Sequence, residues 1–429
     1  MHLVRTVGSS IFLLTLGLNL VSIARAENWP QWRGPKNDGI STEKNVPVKW
    51  SKTENIAWRL PLPGIAGATP CVWGDRIFLT SAKGEDELIA LCVGTDGKIL
   101  WERSLGGGNR AARGNEGNRA SPSPSTDGKH VYAFTGNGNL YCFDFAGSEV
   151  WKVDIQKDYG KFDIQFGMAS TPVLYEEGIY LQLIHGDGKA ETREAQTLAL
   201  DKRTGKLIWK QDRPSEAVIE NEHSYASPTI YHDEKQAFLV THGADYTIAH
   251  SLADGHELWR KAGLNPREKY NNQLRLVASP VAVPGLIVAP SAKNGPVLGM
   301  APDGQLLWSR KDNTPDVPSP LVAEGIVYLC RENGVLITLD RKTGKEIYSK
   351  PAARGDYRAS PVWADGKLYM VNRNGTVTVI KAGEQFEVLS VNKLEETLSA
   401  SPAISNGRIY LRTFDALYAI GPDKPIAKK

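Results

Sequence analysis

The chain has 429 residues, 41% apolar and 23% charged, as expected for a soluble globular protein. Its formal charge is only +3, which leaves no electrostatic footprint for nucleic acid or an anionic membrane surface. Eleven Trp, 41 Gly and 25 Pro are high for a helical protein and suit many short strands joined by turns.

Residues 1–26 read as a signal peptide. Arg5 gives a basic start, residues 11–23 are mostly apolar, and Ala24-Arg25-Ala26 is an A-x-A cleavage signal. The apolar run contains Asn19 and is too short for a membrane span, and no later stretch is apolar enough to be one. The expectation is a periplasmic or secreted protein with no transmembrane segment after signal removal. Loss of Arg5 and Arg25 takes 51 basic residues to 49, against 48 acidic. Residues 27–53 form a lead segment, 54–421 a single repeat domain and 422–429 a tail. The lead segment carries Asn28-Trp-Pro-Gln-Trp-Arg-Gly-Pro35, whose aromatic side chains are expected to pack on a face or side of the domain.

From residue 66 two signals alternate. The first is a small residue, Ser or Thr, then Pro, followed by a short strand. Its copies are Ala68-Thr-Pro70, Ala120-Ser-Pro122, Ser170-Thr-Pro172, Ala226-Ser-Pro228, Ala278-Ser-Pro280, Pro318-Ser-Pro320, Ala359-Ser-Pro361 and Ala400-Ser-Pro402. Proline suits the first residue of a strand, where no ladder donor is needed. The second signal is Gly with an aromatic residue four positions on: Gly97/Trp101, Gly147/Trp151, Gly205/Trp209, Gly255/Trp259, Gly304/Trp308 and Gly344/Tyr348, with a degenerate Gly383/Phe386. Between them lie two more strands and Asn-Gly or Asp-Gly hairpin turns such as Asp127-Gly128, Asn137-Gly138 and Asn374-Gly375. Each unit of roughly 40–55 residues is therefore a four-stranded antiparallel sheet. Such a sheet buries both faces only against neighbours, as in a radial stack. The eighth unit stops at Leu417-Tyr-Ala-Ile420, and its missing outer strand is supplied by Asn55-Ile-Ala-Trp58. The sequence thus predicts an all-β, eight-bladed β-propeller closed by an N-terminal strand.

Cys71, Cys92, Cys142 and Cys330 would sit in an oxidising compartment, where pairing is open. None forms C-x-x-C, and all four lie in apolar strand-like runs, so buried free thiols are expected. No Gly-rich phosphate loop in a βαβ unit and no G-x-S-x-G elbow is present.

Residues 199–209, Ala199-Leu-Asp-Lys-Arg-Thr-Gly-Lys-Leu-Ile-Trp209, match A-x-D-x-x-T-G-x-x-x-W. This resembles the tryptophan-docking repeat of pyrroloquinoline quinone (PQQ) dehydrogenases and of BamB-like propellers of the bacterial envelope. The resemblance covers residues 28–420 and implies the fold strongly and function weakly. For a dehydrogenase it implies a vicinal Cys-Cys disulfide on the quinone, an acidic base and Ca²⁺ on carboxylate and amide oxygens. No Cys-Cys pair occurs here, so no cofactor is predicted, with PQQ and Ca²⁺ held as the alternative.

In a four-stranded blade, the links between blades and the second internal turn emerge on one face. The long links 105–119, 155–168, 213–225 and 262–277 mark that face as the binding face. Residues just before each blade start, Asn118, Arg119, Met168, Tyr225 and Arg358, should ring the channel mouth, with Arg331, Arg373 and Arg412 on short turns of later blades. Arginines there could hold a carboxylate, or pair with neighbouring acids: Asp356 beside Arg358, Glu332 beside Arg331, Asp415 near Arg412. His185, Asp187, His223, His242 and Asp245, with Glu191 and Glu194, could hold a divalent metal if they converge; their spacing matches no metal motif and no metal site is predicted. The reading is a monomeric propeller that binds an envelope or secreted protein partner, or a small anionic ligand, through its loop-rich face. The alternatives are a PQQ-dependent alcohol or sugar dehydrogenase and a polysaccharide-binding propeller using Tyr225, Tyr270, Asn271 and Asn272.

Overall fold

The computed structural model describes residues 27–112, 116–185, 195–292 and 294–423. Residues 1–26, expected to be a signal peptide, and Asp187, Glu191, Glu194 and residues 424–429 of the tail lie outside them. Eight antiparallel sheets form the ring. Seven blades each take four consecutive strands, at residues 71–106, 125–154, 173–212, 229–261, 281–310, 321–351 and 362–393. The eighth takes three strands at 403–420, and its outer strand is Ile56–Pro61, antiparallel to Ala416–Ile420. The ring closes as the repeat pattern predicts.

The repeat motif works across blade boundaries. In blade 3 the Asp201 carboxylate accepts from the Arg203 and Thr204 amides and the Thr204 hydroxyl, which fixes the turn before the outer strand. Asp340 and Thr343 do the same in blade 6. Gly205 then takes φ +70°, a conformation open to glycine. The outer strand bulges at Ile208, opposite Ala199 and Leu200 of the third strand, which turns Trp209 inward and leaves Leu207 and Ile208 exposed. The Trp209 ring docks on the next blade, and its indole N–H donates to the Leu252 carbonyl at 2.9 Å. Trp58, Trp101, Trp151, Trp259 and Trp308 make the equivalent bond into the blade that follows. The glycine of the motif is where the preceding tryptophan lands. A Cβ at Gly97, Gly147, Gly205, Gly255, Gly304 or Gly344 would lie 2.4–2.9 Å from the ring of Trp58, Trp101, Trp151, Trp209, Trp259 or Trp308.

The Ser-Pro starts form a second lock around the channel. The backbone N–H of each start residue donates to the side-chain oxygen of its counterpart in the next blade, at 2.8–3.1 Å: Thr69 to Ser123, on through Thr171, Ser227, Ser279, Ser319, Ser360 and Ser401, and back to Thr69. This closed belt corrects the second copy of the repeat. Ser123, before Pro124, holds the place expected for Ser121, because the first strand of blade 2 is Ser125–Thr126. Ser121 instead bonds the Asn118 amide in the preceding link.

The lead segment plugs the opposite end of the channel, on the side of the first hairpin turns. Trp29 is fully buried and pairs with Val72 of blade 1. The Pro30 carbonyl accepts from Thr126 of blade 2, and the Gln31 side chain accepts from Leu174 of blade 3. Ile40–Ser41 adds as a parallel strand to the inner edge of Val362–Ala364 in blade 7. The Glu43 carboxylate accepts from the Asn406 and Gly407 amides of blade 8. The expected packing on a face of the domain is thus an insertion that ties blades 1, 2, 3, 7 and 8 from below. The four cysteines are buried free thiols.

Candidate binding site

Inter-blade links and blade starts enclose a cavity of about 530 Å³ at the loop-rich mouth of the channel. Its deep end is Trp32, delivered through the channel by the lead segment, and seven belt residues, all but Thr69, line its wall. The rim carries Asn118, Phe166, Met168, Tyr225, Arg275, Asp316, Arg358 and Glu116.

Arg275, Arg358 and Glu116 of the rim are engaged in ion pairs. Arg275 lies 2.7 Å from Glu220 and over the Phe166 ring. Arg358, from the start of blade 7, reaches across the mouth to Glu116 of the blade 1–2 link at 3.0 Å. Arg373 lies 3.9 Å from the same carboxylate, and the Ser399 hydroxyl donates to the Glu116 carbonyl. Glu116 therefore straps the blade 1–2 link to blade 7. Being partly exposed, these pairs set geometry more than stability. The Tyr225 hydroxyl accepts from the Phe166 amide, and burial pushes its pKa up to about 12.

The mouth therefore gathers Asn118, Met168, Tyr225 and Arg358 as expected from sequence. Arg119 lies beside it, its guanidinium on the Gly108 carbonyl. Arg331 points to Asn313 and Asn294, and Arg373 packs on Phe414. Arg412 does not reach the mouth. It is fully buried between blades 8 and 1, donating to the Thr80, Gly64 and Thr413 carbonyls and the Ser81 hydroxyl. Burial lowers its pKa to about 9. Arg358 finds its ion-pair partner in Glu116, distant in the chain. The residues that sequence reasoning missed are Trp32, Glu116, Arg275 and Asp316. Trp32 was visible in the lead motif, but no periodicity places it in the channel.

Among the described residues the weak metal candidates do not assemble. His242 is fully buried, with ring nitrogens on the Pro290 carbonyl and the Thr247 hydroxyl. Asp245 accepts from Tyr270 and Asn265. His185 is buried against Phe162, and burial, opposed by Asp163 and aided by His223, lowers its pKa to about 4. Among the described residues no group of three His, Cys, Asp or Glu side chains could hold a metal ion. The residues described do not fit a Ca²⁺-bound quinone: the thiols lie inside blades and no carboxylate cluster faces the mouth. Tyr270, Asn271 and Asn272 lie on the neighbouring 262–277 link; Tyr270 is held by Asp245, and Asn272 is exposed.

The sequence model of a family described as outer membrane protein assembly factor BamB matches residues 86–165 and 146–382. BamB of Moranella endobia (strain PCIT) is 24% identical over 282 residues, which is 64% of this chain and 64% of that protein. The match thus spans less than two thirds of that relative's length. The crystal structure of BamB from Moraxella catarrhalis superposes with a TM-score of 0.62 at 15% identity, over 85% of this chain and 99% of that one. A quinohemoprotein alcohol dehydrogenase from Comamonas testosteroni gives 0.69 at 12% identity, over 95% and 83%. A europium-containing methanol dehydrogenase gives 0.69 at 12% identity, over 90% and 89%. At these identities the likeness to solved structures is one of fold.

Proposed function

Since the chain belongs to the family of the outer membrane protein assembly factor BamB, we propose that it is an envelope or periplasmic scaffold that binds a protein partner through its loop-rich face. The observation that supports this is the contrast between a rigid ring and a varied rim. The belt and the docked tryptophans hold the ring from inside and outside, while links of more than ten residues at 105–119, 155–168, 213–225 and 262–277 stand on one face. Long loops positioned by a rigid scaffold are where recognition sits. The opposite face is taken up in part by the chain's own lead segment.

Site-specific photo-crosslinking tests the reading. A crosslinker at Glu268 or Asn272 on the mouth face should give a discrete adduct with one envelope protein in cells. The same group at Lys206 or Asp254, on the third-turn face, should not. Equal labelling from both faces, or none from the mouth, counts against the proposal. A fold shared with an alcohol dehydrogenase motivates a second reading, a PQQ-dependent oxidoreductase, against which stands the poor fit of the described residues to a Ca²⁺-bound quinone. Titration with PQQ and Ca²⁺, following quinone absorbance and dye-linked alcohol oxidation, decides it: turnover favours the enzyme, and no binding removes it.

A further inference from the structure

The belt leaves chemistry unspent. A serine or threonine hydroxyl has one donor hydrogen and two acceptor lone pairs. In the seven belt residues that line the cavity, one lone pair takes the backbone N–H of the preceding blade. Among the described residues, no protein acceptor takes their hydroxyl hydrogens. These hydroxyls line the lumen, so their hydrogens are free to donate to a guest there. A ring of such donors around one lumen matches an occupant rich in acceptor oxygens.

The remaining walls narrow its chemistry. The deep end is an aromatic plane, Trp32, with the Arg33 guanidinium 5.9 Å from its ring centroid. An aromatic plane favours a ligand with a flat apolar face. The rim offers donors and acceptors together: Asn118, Asp316, and the paired Arg358 and Glu116. Arg275 is already matched by Glu220. A charge-balanced rim does not select for an anion, which would find both guanidinium groups engaged. A cavity of about 530 Å³ falls within the roughly 300–1,000 Å³ range of small-molecule sites.

We propose that the channel mouth binds a short neutral glycan. One pyranose ring stacks its C–H face on Trp32, its oxygens accept from the belt hydroxyls, and its outer hydroxyls reach Asp316, Glu116 and Arg358. This site shares Tyr225 with the polysaccharide surface expected from sequence but lies in the channel, apart from Tyr270, Asn271 and Asn272 of the 262–277 link, and it does not depend on the protein-partner reading.

The test uses the full chain with cellobiose, maltose and diacetylchitobiose, by calorimetry and intrinsic fluorescence. One of them should bind with one site per chain and perturb tryptophan emission. Trp32→Ala should lower affinity at least tenfold, and Trp32→Tyr should restore most of it. Asp316→Asn, at the rim, should weaken binding severalfold with an unchanged melting midpoint, which keeps the test valid if Trp32→Ala fails to fold. Binding to none of the three sugars overturns the proposal. So does binding that ignores both Trp32→Ala and Asp316→Asn, or competition won by PQQ or citrate over every sugar.

Discussion

The contact between each docking tryptophan and the glycine of the next blade can be weighed at Gly255. A Cβ there would lie 2.4 Å from Cε3 of Trp209, and the residue has φ +78°. Two costs follow from Gly255→Ala. Placing an alanine in the left-handed region costs about 1–2 kcal/mol. Overpacking against a ring that is 6% exposed and pinned by its bond to Leu252 adds about 1–3 kcal/mol. Gly325 separates the two, because it has φ +81° and nothing within 4 Å of an added Cβ. Gly325→Ala should therefore show only the conformational cost of about 1–2 kcal/mol, and Gly255→Ala about 2–5 kcal/mol. In a Trp209→Ala background the packing term vanishes, and Gly255→Ala should fall to the Gly325→Ala value. Equilibrium denaturant unfolding of the four Trp209/Gly255 variants gives the coupling directly. Equal losses at Gly255 and Gly325, or a Gly255→Ala cost undiminished without Trp209, would refute the blade-lock reasoning.

The belt makes a second prediction. Ser319→Ala removes the acceptor of the Ser279 amide and should cost about 1–3 kcal/mol. Ser319→Thr should be near neutral, since Thr69 and Thr171 hold equivalent places; hydrogen exchange at the Ser279 amide should speed up only in the alanine variant. A third concerns pH. Burial lowers the pKa of His242 to about 3 and of His185 and His250 to about 4. Each ring stays neutral in the fold, so below about pH 6.5 the unfolded chain binds more protons than the folded one. Stability should then fall as pH drops from about 6.5 to 4, by up to ~1.4 kcal/mol per pH unit for each histidine. Denaturation midpoints across that range check it, and His242→Gln should flatten the slope; a flat profile in the parent chain would count against buried neutral histidines.

Eight blade starts, six Gly-aromatic pairs and a stray closing strand were legible because each blade repeats one local problem, a turn and an inward tryptophan. The register of blade 2 was not, because Ala120-Ser-Pro122 and Pro122-Ser-Pro124 both satisfy the pattern, and only pairing of Ser125 with Tyr132 chooses between them. The site was half legible. Asn118, Met168, Tyr225 and Arg358 precede blade starts, so topology alone puts them at the mouth. Arg412 lies at a short second turn expected on the same face, yet the polar groups of Gly64, Thr80 and Ser81 fill its hydrogen bonds inside the ring.

By itself, then, the sequence determined the number of blades, how the ring closes and which face carries the loops, because these follow from short-range periodicity and turn chemistry. Only the tertiary structure decided what the mouth contains. Trp32 sits below it because the lead segment finds the channel, and Glu116 meets Arg358 across 242 residues of chain. Such contacts arise from ring closure bringing distant blades together, which no local pattern encodes.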